Sequence, residues 1–184
     1  MCNLSEVIGS GPVLLQQGLT VISIAASIVF WVWLYRRNGL ERQLMLFALP
    51  IALWTVLGSL DILITAKGTF ENPYREGNQA ARFIFVSTGY LGPVIASVLW
   101  VALWSGMVLA LNKMKMPFCA FVSLAIFYSL AFGHLSGFSS WYLPFCQVAK
   151  VIAWSKLPII IGLGVIASAL HLGVHRFLSL RKEK

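Results

Sequence analysis

Five stretches of this 184-residue chain stay apolar for about 20 residues or more, the length a helix needs to cross a hydrocarbon core about 30 Å thick. Within lipid no water can satisfy a backbone N–H or C=O, so each stretch has to form a helix that bonds to itself. The predicted spans are 12–35, 44–65, 83–111, 117–135 and 157–180. The third is longer than a bilayer requires and is expected to tilt or to extend beyond it. Composition agrees: 59% of residues are hydrophobic and 11% charged, against roughly 25% charged in a soluble domain. The expectation is an all-α, polytopic bundle in which residues 1–184 form a single integral membrane domain.

Charge placement carries more information than the net charge of +8. Arg36, Arg37 and Arg42 separate the first two spans, Lys113 and Lys115 follow the third, and Arg176, Arg181, Lys182 and Lys184 follow the fifth. The opposite side holds Lys67, Arg75, Arg82, Lys150 and Lys156. Nine of the fourteen basic residues therefore fall on one side. By the positive-inside rule that side is cytoplasmic, with the N-terminus outside and the C-terminus inside. Basic residues so placed are what membrane orientation requires, and no nucleic-acid partner is expected. The first eleven residues hold no Lys or Arg, so no basic region precedes the apolar run and no cleavable signal peptide is expected. Aromatic residues fit this orientation, with Trp31, Trp33 and Tyr35 at the inner interface and Trp141, Tyr142 and Trp154 at the outer one. Trp54 and Trp100 fall deeper, where packing is expected.

The stretch 136–155 is apolar and aromatic, yet Gly137, Pro144 and Lys150 interrupt it. It reads as a loop, a re-entrant segment or an amphipathic helix on the outer interface. Lys156 and Pro158 then open the fifth span, with proline suited to a first helical turn. Lys156 is expected to snorkel to lipid phosphates or to meet Glu71, Glu76 or Asp61. Small residues recur at four-residue spacing: Ser23 with Ser27, Gly133 with Gly137, Gly164 with Ser168. They let helices approach closely, chiefly within one chain, and leave oligomerisation through such faces open.

Polar chemistry gathers where the second span ends. Asp61 and Thr65 share a helix face with Gly58 and Trp54, and a loop follows that carries Lys67, Gly68, Glu71, Asn72, Pro73, Arg75, Glu76, Asn78 and Arg82. An ionisable residue within a span defaults to a functional role with a named partner, here Asp61 with Arg75 or Arg82. The competing account is a solvated or paired charge near the headgroups, since Asp61 stands about 26 Å along the helix from Leu44. The candidate acid–base residues are Asp61, Glu71 and Glu76. The candidate substrate-binding residues are Thr65, Asn72, Arg75, Asn78, Arg82, His134 and Lys156.

The pattern Asp61…Thr65…Gly68…Glu71-Asn72-Pro73 resembles an uncharacterised group of small prokaryotic membrane proteins. In that group an Asp and a Thr on a helix precede a Gly and a Glu-Asn-Pro loop. The element Arg75 to Asn78 has no counterpart there. The resemblance implies a multi-pass protein of a prokaryotic cell membrane and assigns no activity.

His134 is expected to end the fourth span on the side of that loop. The string His134-Leu135-Ser136-Gly137 is similar to the Gly-x-Ser-Gly of rhomboid proteases, with histidine replacing the first glycine. A serine nucleophile needs a base within reach on another helix, and His171 and His175 are expected at the opposite face. Those two histidines share a helix face four residues apart, a spacing that metal sites use, but two ligands on one helix are not a site. No Gly-rich phosphate loop, HExxH or paired prenyl-transfer aspartates occur, and neither metal nor cofactor is expected. The reading that follows is a small membrane enzyme or a lipid- or amphiphile-binding protein with a polar pocket at the outer face, its partners being membrane lipids. The alternatives are a transporter or channel subunit, or a non-catalytic accessory subunit of a membrane complex.

Overall fold

The computed structural model describes residues 8–39, 41–114, 118–142 and 146–182, with backbone alone for 41–44, 141–142, 146–156 and 179–182. Among these residues six α-helices follow one another: α1 (Pro12–Arg37), α2 (Glu41–Thr69), α3 (Gln79–Thr88), α4 (Gly92–Lys113), α5 (Cys119–Tyr142) and α6 (Cys146–Lys182). No strand occurs among the described residues. The protein is all-α, with five helical segments long and apolar enough to cross a membrane: Pro12–Arg37, Met45–Thr69, Gln79–Lys113, Cys119–Ser140 and Leu157–Leu178.

Local chemistry sets the helix ends. Pro12 at the first turn of α1 has no N–H to leave unsatisfied, and Arg36 and Arg37 complement the negative end of its dipole. Asn78 caps α3, its side-chain oxygen accepting from the N–H groups of Ala80 at 3.0 Å and Ala81 at 3.3 Å. The overlong third span is not one straight rod. Gly89 lies at φ 57°, where a side chain would be strained, and a 3-10 turn over Gly89–Leu91 separates α3 from α4. The 22 residues of α4 suffice to cross a bilayer, at about 33 Å.

Helices α1, α2, α4 and α5 build the core, and α6 packs chiefly against α5. Phe127, fully buried on α5, is the hub: its ring lies 5.8 Å from Trp31, 5.9 Å from Phe47 and 5.5 Å from Trp54. Trp31 and Tyr35 thus turn into the bundle, whereas Trp33 stays exposed beneath the Arg37 guanidinium at 5.2 Å. Near the Arg36 end a polar group is sealed in. Asn112 donates to the Tyr35 hydroxyl at 3.0 Å, and Ser123 donates to the Asn112 carbonyl oxygen at 3.3 Å.

The region 136–155 departs from expectation. Helix α5 continues through Ser136 and Gly137 to Tyr142, and α6 begins at Cys146, eleven residues before the apolar span that opens at Leu157, so the described residues of this stretch are helical rather than a loop. Pro158 accordingly stands inside α6, not at its start. An interior proline is tolerated in a membrane helix when neighbouring groups re-satisfy the freed carbonyl. Glycine at 164 permits the α5–α6 approach: a Cβ there would meet the Ala125 carbonyl oxygen and the Ser129 nitrogen, each at 2.9 Å, and the Ser129 hydroxyl. Ser168, one turn on, is fully buried and donates to the Gly164 carbonyl at 2.7 Å. This pair of small residues serves packing within the chain.

Candidate functional site

Helix α2 runs four residues past its predicted end, to Thr69. Asp61 therefore stands eight residues, about 12 Å, inside that end. Helix α5 likewise carries on eight residues past His134. The two side chains meet where α2 and α5 face each other. His134 Nδ1 lies 2.8 Å from Asp61 Oδ2, with 14% of the histidine and 18% of the aspartate side chain exposed. The partner of Asp61 is a histidine on a facing helix, not Arg75 or Arg82.

A glycine on α5 makes the contact possible. A Cβ at Gly137 would sit 2.6 Å from Asp61 Oδ1 and 2.8 Å from Oδ2, so the carboxylate occupies the space that any side chain would need. On α2, Gly58 lies under the other edge of the imidazole, with 3.5 Å between its Cβ position and His134 Nε2. The Trp100 ring approaches His134 edge-on at 6.5 Å. A cavity of ≈ 20 Å³ beside the imidazole is bounded by Gly58, Ser59, Ser97, Trp100 and His134. It has room for about one water. The Trp100 indole N–H is buried without a hydrogen-bond partner.

This geometry orients an imidazole. With His134 neutral and Asp61 ionised, Nδ1–H donates to the carboxylate and Nε2 is left as a base facing Gly58. A carboxylate that holds a histidine in one tautomer and orientation is the arrangement that general-base histidines use.

The loop after α2 plays mixed parts. Glu76 is half-buried, and burial pushes its carboxyl above the ordinary 4.5; the Asp61 charge adds to the rise, while donation from the Asn78 N–H opposes it. That N–H lies 2.7 Å from Glu76 Oε1. Arg82 donates from Nε to the Glu76 carbonyl oxygen at 2.8 Å, holding the loop against α3. Asn72 folds the loop locally, its side-chain oxygen accepting from the Tyr74 N–H at 3.1 Å. Glu71, Asn72, Arg75 and Asn78 are exposed. Thr65 is buried one turn from Asp61, and its carbonyl accepts from the Thr69 hydroxyl at 2.7 Å. The side chain of Lys156, with those of Trp141, Tyr142 and Trp154, lies outside the described residues. His171 Nδ1 is 2.7 Å from the Tyr128 hydroxyl, an α5–α6 contact away from Asp61.

Two functional-looking residues escape sequence reasoning altogether. Gln16 and Gln17 are adjacent on α1, each only 3% exposed. Gln16 donates to the Tyr90 carbonyl at 2.6 Å, and Gln17 donates to the Leu63 carbonyl at 2.8 Å and accepts from the Gly9 N–H at 2.9 Å. Neutral amides near the start of a span give no charge signal. Their one legible trait is two consecutive amides in an otherwise apolar run. The chain matches no family model, no curated protein and no solved structure.

Proposed function

We propose that this protein is a small membrane enzyme or amphiphile-binding protein whose working centre is the Asp61–His134 pair. One observation carries the reading: the 2.8 Å contact between two titratable side chains on facing apolar helices, with glycine on either side. Ionisable groups within spans are costly and persist mainly where they move protons or bind polar parts of a ligand. In this reading Asp61 orients His134, whose Nε2 takes or gives the proton. Glu76, whose carboxyl burial and the Asp61 charge push above the ordinary 4.5, is the auxiliary acid. Arg82 positions Glu76 through its backbone. Arg75 and Lys156 are the cations available to an anionic headgroup, and membrane lipids supply the amphiphile.

The test uses the protein purified in a mild detergent. Mass spectrometry of co-purifying lipid compares the wild type with Asp61→Asn and His134→Gln, alongside cellular complementation. Altered bound lipid and failed complementation in both variants, with melting temperatures retained, is the expected result. Unchanged lipid and full complementation reject the proposal.

A second reading is proton-coupled transport, favoured by the depth of Asp61 inside α2 and by the water-sized cavity beside His134. Proteoliposomes loaded with a pH-sensitive dye separate the two. Proton flux that Asp61→Asn abolishes supports transport; no flux above empty vesicles leaves the enzyme or binding reading in place.

A further inference from the structure

The far end of α1 carries a cluster of charge that the Asp61–His134 centre does not use. Gln17 marks the level of that centre, since it meets the Leu63 carbonyl two residues from Asp61. Arg36 lies 19 residues further along α1, about 28 Å away. Asn112 donates to the Tyr35 hydroxyl at 3.0 Å, so Arg36 and Arg37 on α1 and Lys113 on α4 stand at one level of the bundle. All three are exposed. Neither arginine is needed to finish its helix, because the carbonyls of Leu34, Tyr35 and Arg36 already accept from Asn38 and Gly39. Among the described residues no carboxylate pairs with Arg36, Arg37 or Lys113.

Arg37 is held in place by a ring. Its guanidinium lies 5.2 Å from the centre of the Trp33 ring, one turn earlier on α1. Trp33 in turn stacks on Phe30, with centroids 5.6 Å apart and planes 28° apart. Trp33 is 48% and Phe30 61% exposed, so this ladder lies on the outside of the bundle. Val29, one turn before Trp33 on the same face, is exposed as well. A ring attracts a cation through its charge and offers no lone pair, so the Arg37 N–H donors keep their capacity for oxygen acceptors. Their fork fits two oxygens of a phosphate. From Arg37 the apolar strip runs about 10 Å along the helix to Phe30.

We infer that the face of α1 formed by Phe30, Trp33 and Arg37 binds one anionic phospholipid, its phosphate on Arg37 and an acyl chain along Phe30 and Val29. Arg36 and Lys113 add attraction at the same level. Three cations without a described carboxylate partner favour a headgroup of net negative charge and repel the ammonium of a zwitterionic one. The apolar strip beside the guanidinium suits a lipid, whereas a free phosphate would leave it unused. The site shares no residue with Asp61 and His134, so it stands or falls apart from the proposed function.

Native mass spectrometry of the protein in a mild detergent tests it, with titration by phosphatidylglycerol or by phosphatidylcholine of the same acyl chains. The first phosphatidylglycerol should bind more tightly than phosphatidylcholine. Arg37→Gln should weaken that binding about fivefold, the effect of one cation at an anionic headgroup. Trp33→Leu keeps the charge but removes the ring that places Arg37, and should weaken it about threefold. Both substitutions alter exposed side chains, so wild-type melting temperatures are expected, and the result does not hinge on one variant. Arg181→Gln, an equal loss of charge near the end of α6, should leave the first binding unchanged. Equal affinity for the two lipids, full binding by Trp33→Leu, or an equal loss in Arg181→Gln overturns the inference. Displacement of the lipid by glycerol 3-phosphate at matched concentration also overturns it, since that would mark a site for a free anion.

Discussion

Two of the polar clusters in the apolar interior of this bundle lie near opposite ends and differ in kind. Tyr35, Asn112 and Ser123 form a chain of neutral groups, none more than 5% exposed, in which each contact is a hydrogen bond between uncharged partners. Asp61 and His134 are both titratable, retain 18% and 14% exposure, and border a water-sized void. The first resembles the neutral side-chain bonds that fasten membrane helices together. The second pairs groups whose charge can change, in a place where a small molecule has room. The neutral cluster is the more deeply buried, and the second is set apart by titratable chemistry with access.

The contrast breaks most sharply at His134. His134→Leu leaves the Asp61 carboxylate without this partner; breaking a fully buried pair costs about 3–5 kcal/mol, and the partial exposure of this one lowers the cost toward or below the bottom of that range. Thermal melting in mild detergent should fall accordingly and largely recover in the double variant with Asp61→Leu; a single variant as stable as wild type would show that the pair is not coupled. At the neutral cluster, Asn112→Leu strands the Tyr35 and Ser123 hydroxyls at about 1–3 kcal/mol for each group left unsatisfied. It should lower the melting temperature without the altered bound lipid expected of Asp61→Asn, and a matching lipid change would erase the distinction between the two clusters. A smaller effect is expected where the loop meets α3. Asn78→Ala removes a cap worth about 1 kcal/mol, so amide exchange should quicken over the first turn of α3 while α4 is unaffected.

The smallest effect is one of pH. Burial, with Asp61 adding to it, raises the Glu76 carboxyl above its ordinary 4.5. A carboxyl raised on folding binds its proton more tightly in the folded state, so its contribution is fully present below that ordinary value. It is lost as pH rises through the raised one. Loop exchange protection should therefore decline as pH climbs from 4.5, after correction for intrinsic exchange. Glu76→Gln, which keeps an oxygen for the Asn78 N–H, should flatten that decline. An unchanged slope would remove Glu76 from the auxiliary role.

Much of the architecture was legible because lipid leaves the backbone few choices. Hydropathy alone located five spans, and Asp61 stood out as a carboxylate in an apolar run. The errors lie where hydropathy and helix geometry part company. The third span looked continuous because Gly89 and Tyr90 do not interrupt its hydrophobicity, although one residue at positive φ divides it. Gly137 and Pro144 read as breakers, yet glycine at 137 serves to admit the Asp61 carboxylate to a continuing helix. His134 was a candidate, but its pairing depends on how α2 and α5 face each other, which no local pattern encodes. The same holds for Gln16, whose partner is 74 residues away.

The contact of α6 with α5 has a mechanical consequence. At Gly164 the bare backbone presses on the Ala125 carbonyl and the Ser129 nitrogen. Sliding α6 by one turn, about 5.4 Å, would bring Ile160 or Ser168 to that spot, and both carry the atom for which there is no space. The outermost helix is thus keyed to a single notch. The side it turns outward, with Ile159, Ile166, Leu170 and Phe177 all exposed, presents one unvarying apolar strip to whatever surrounds the bundle.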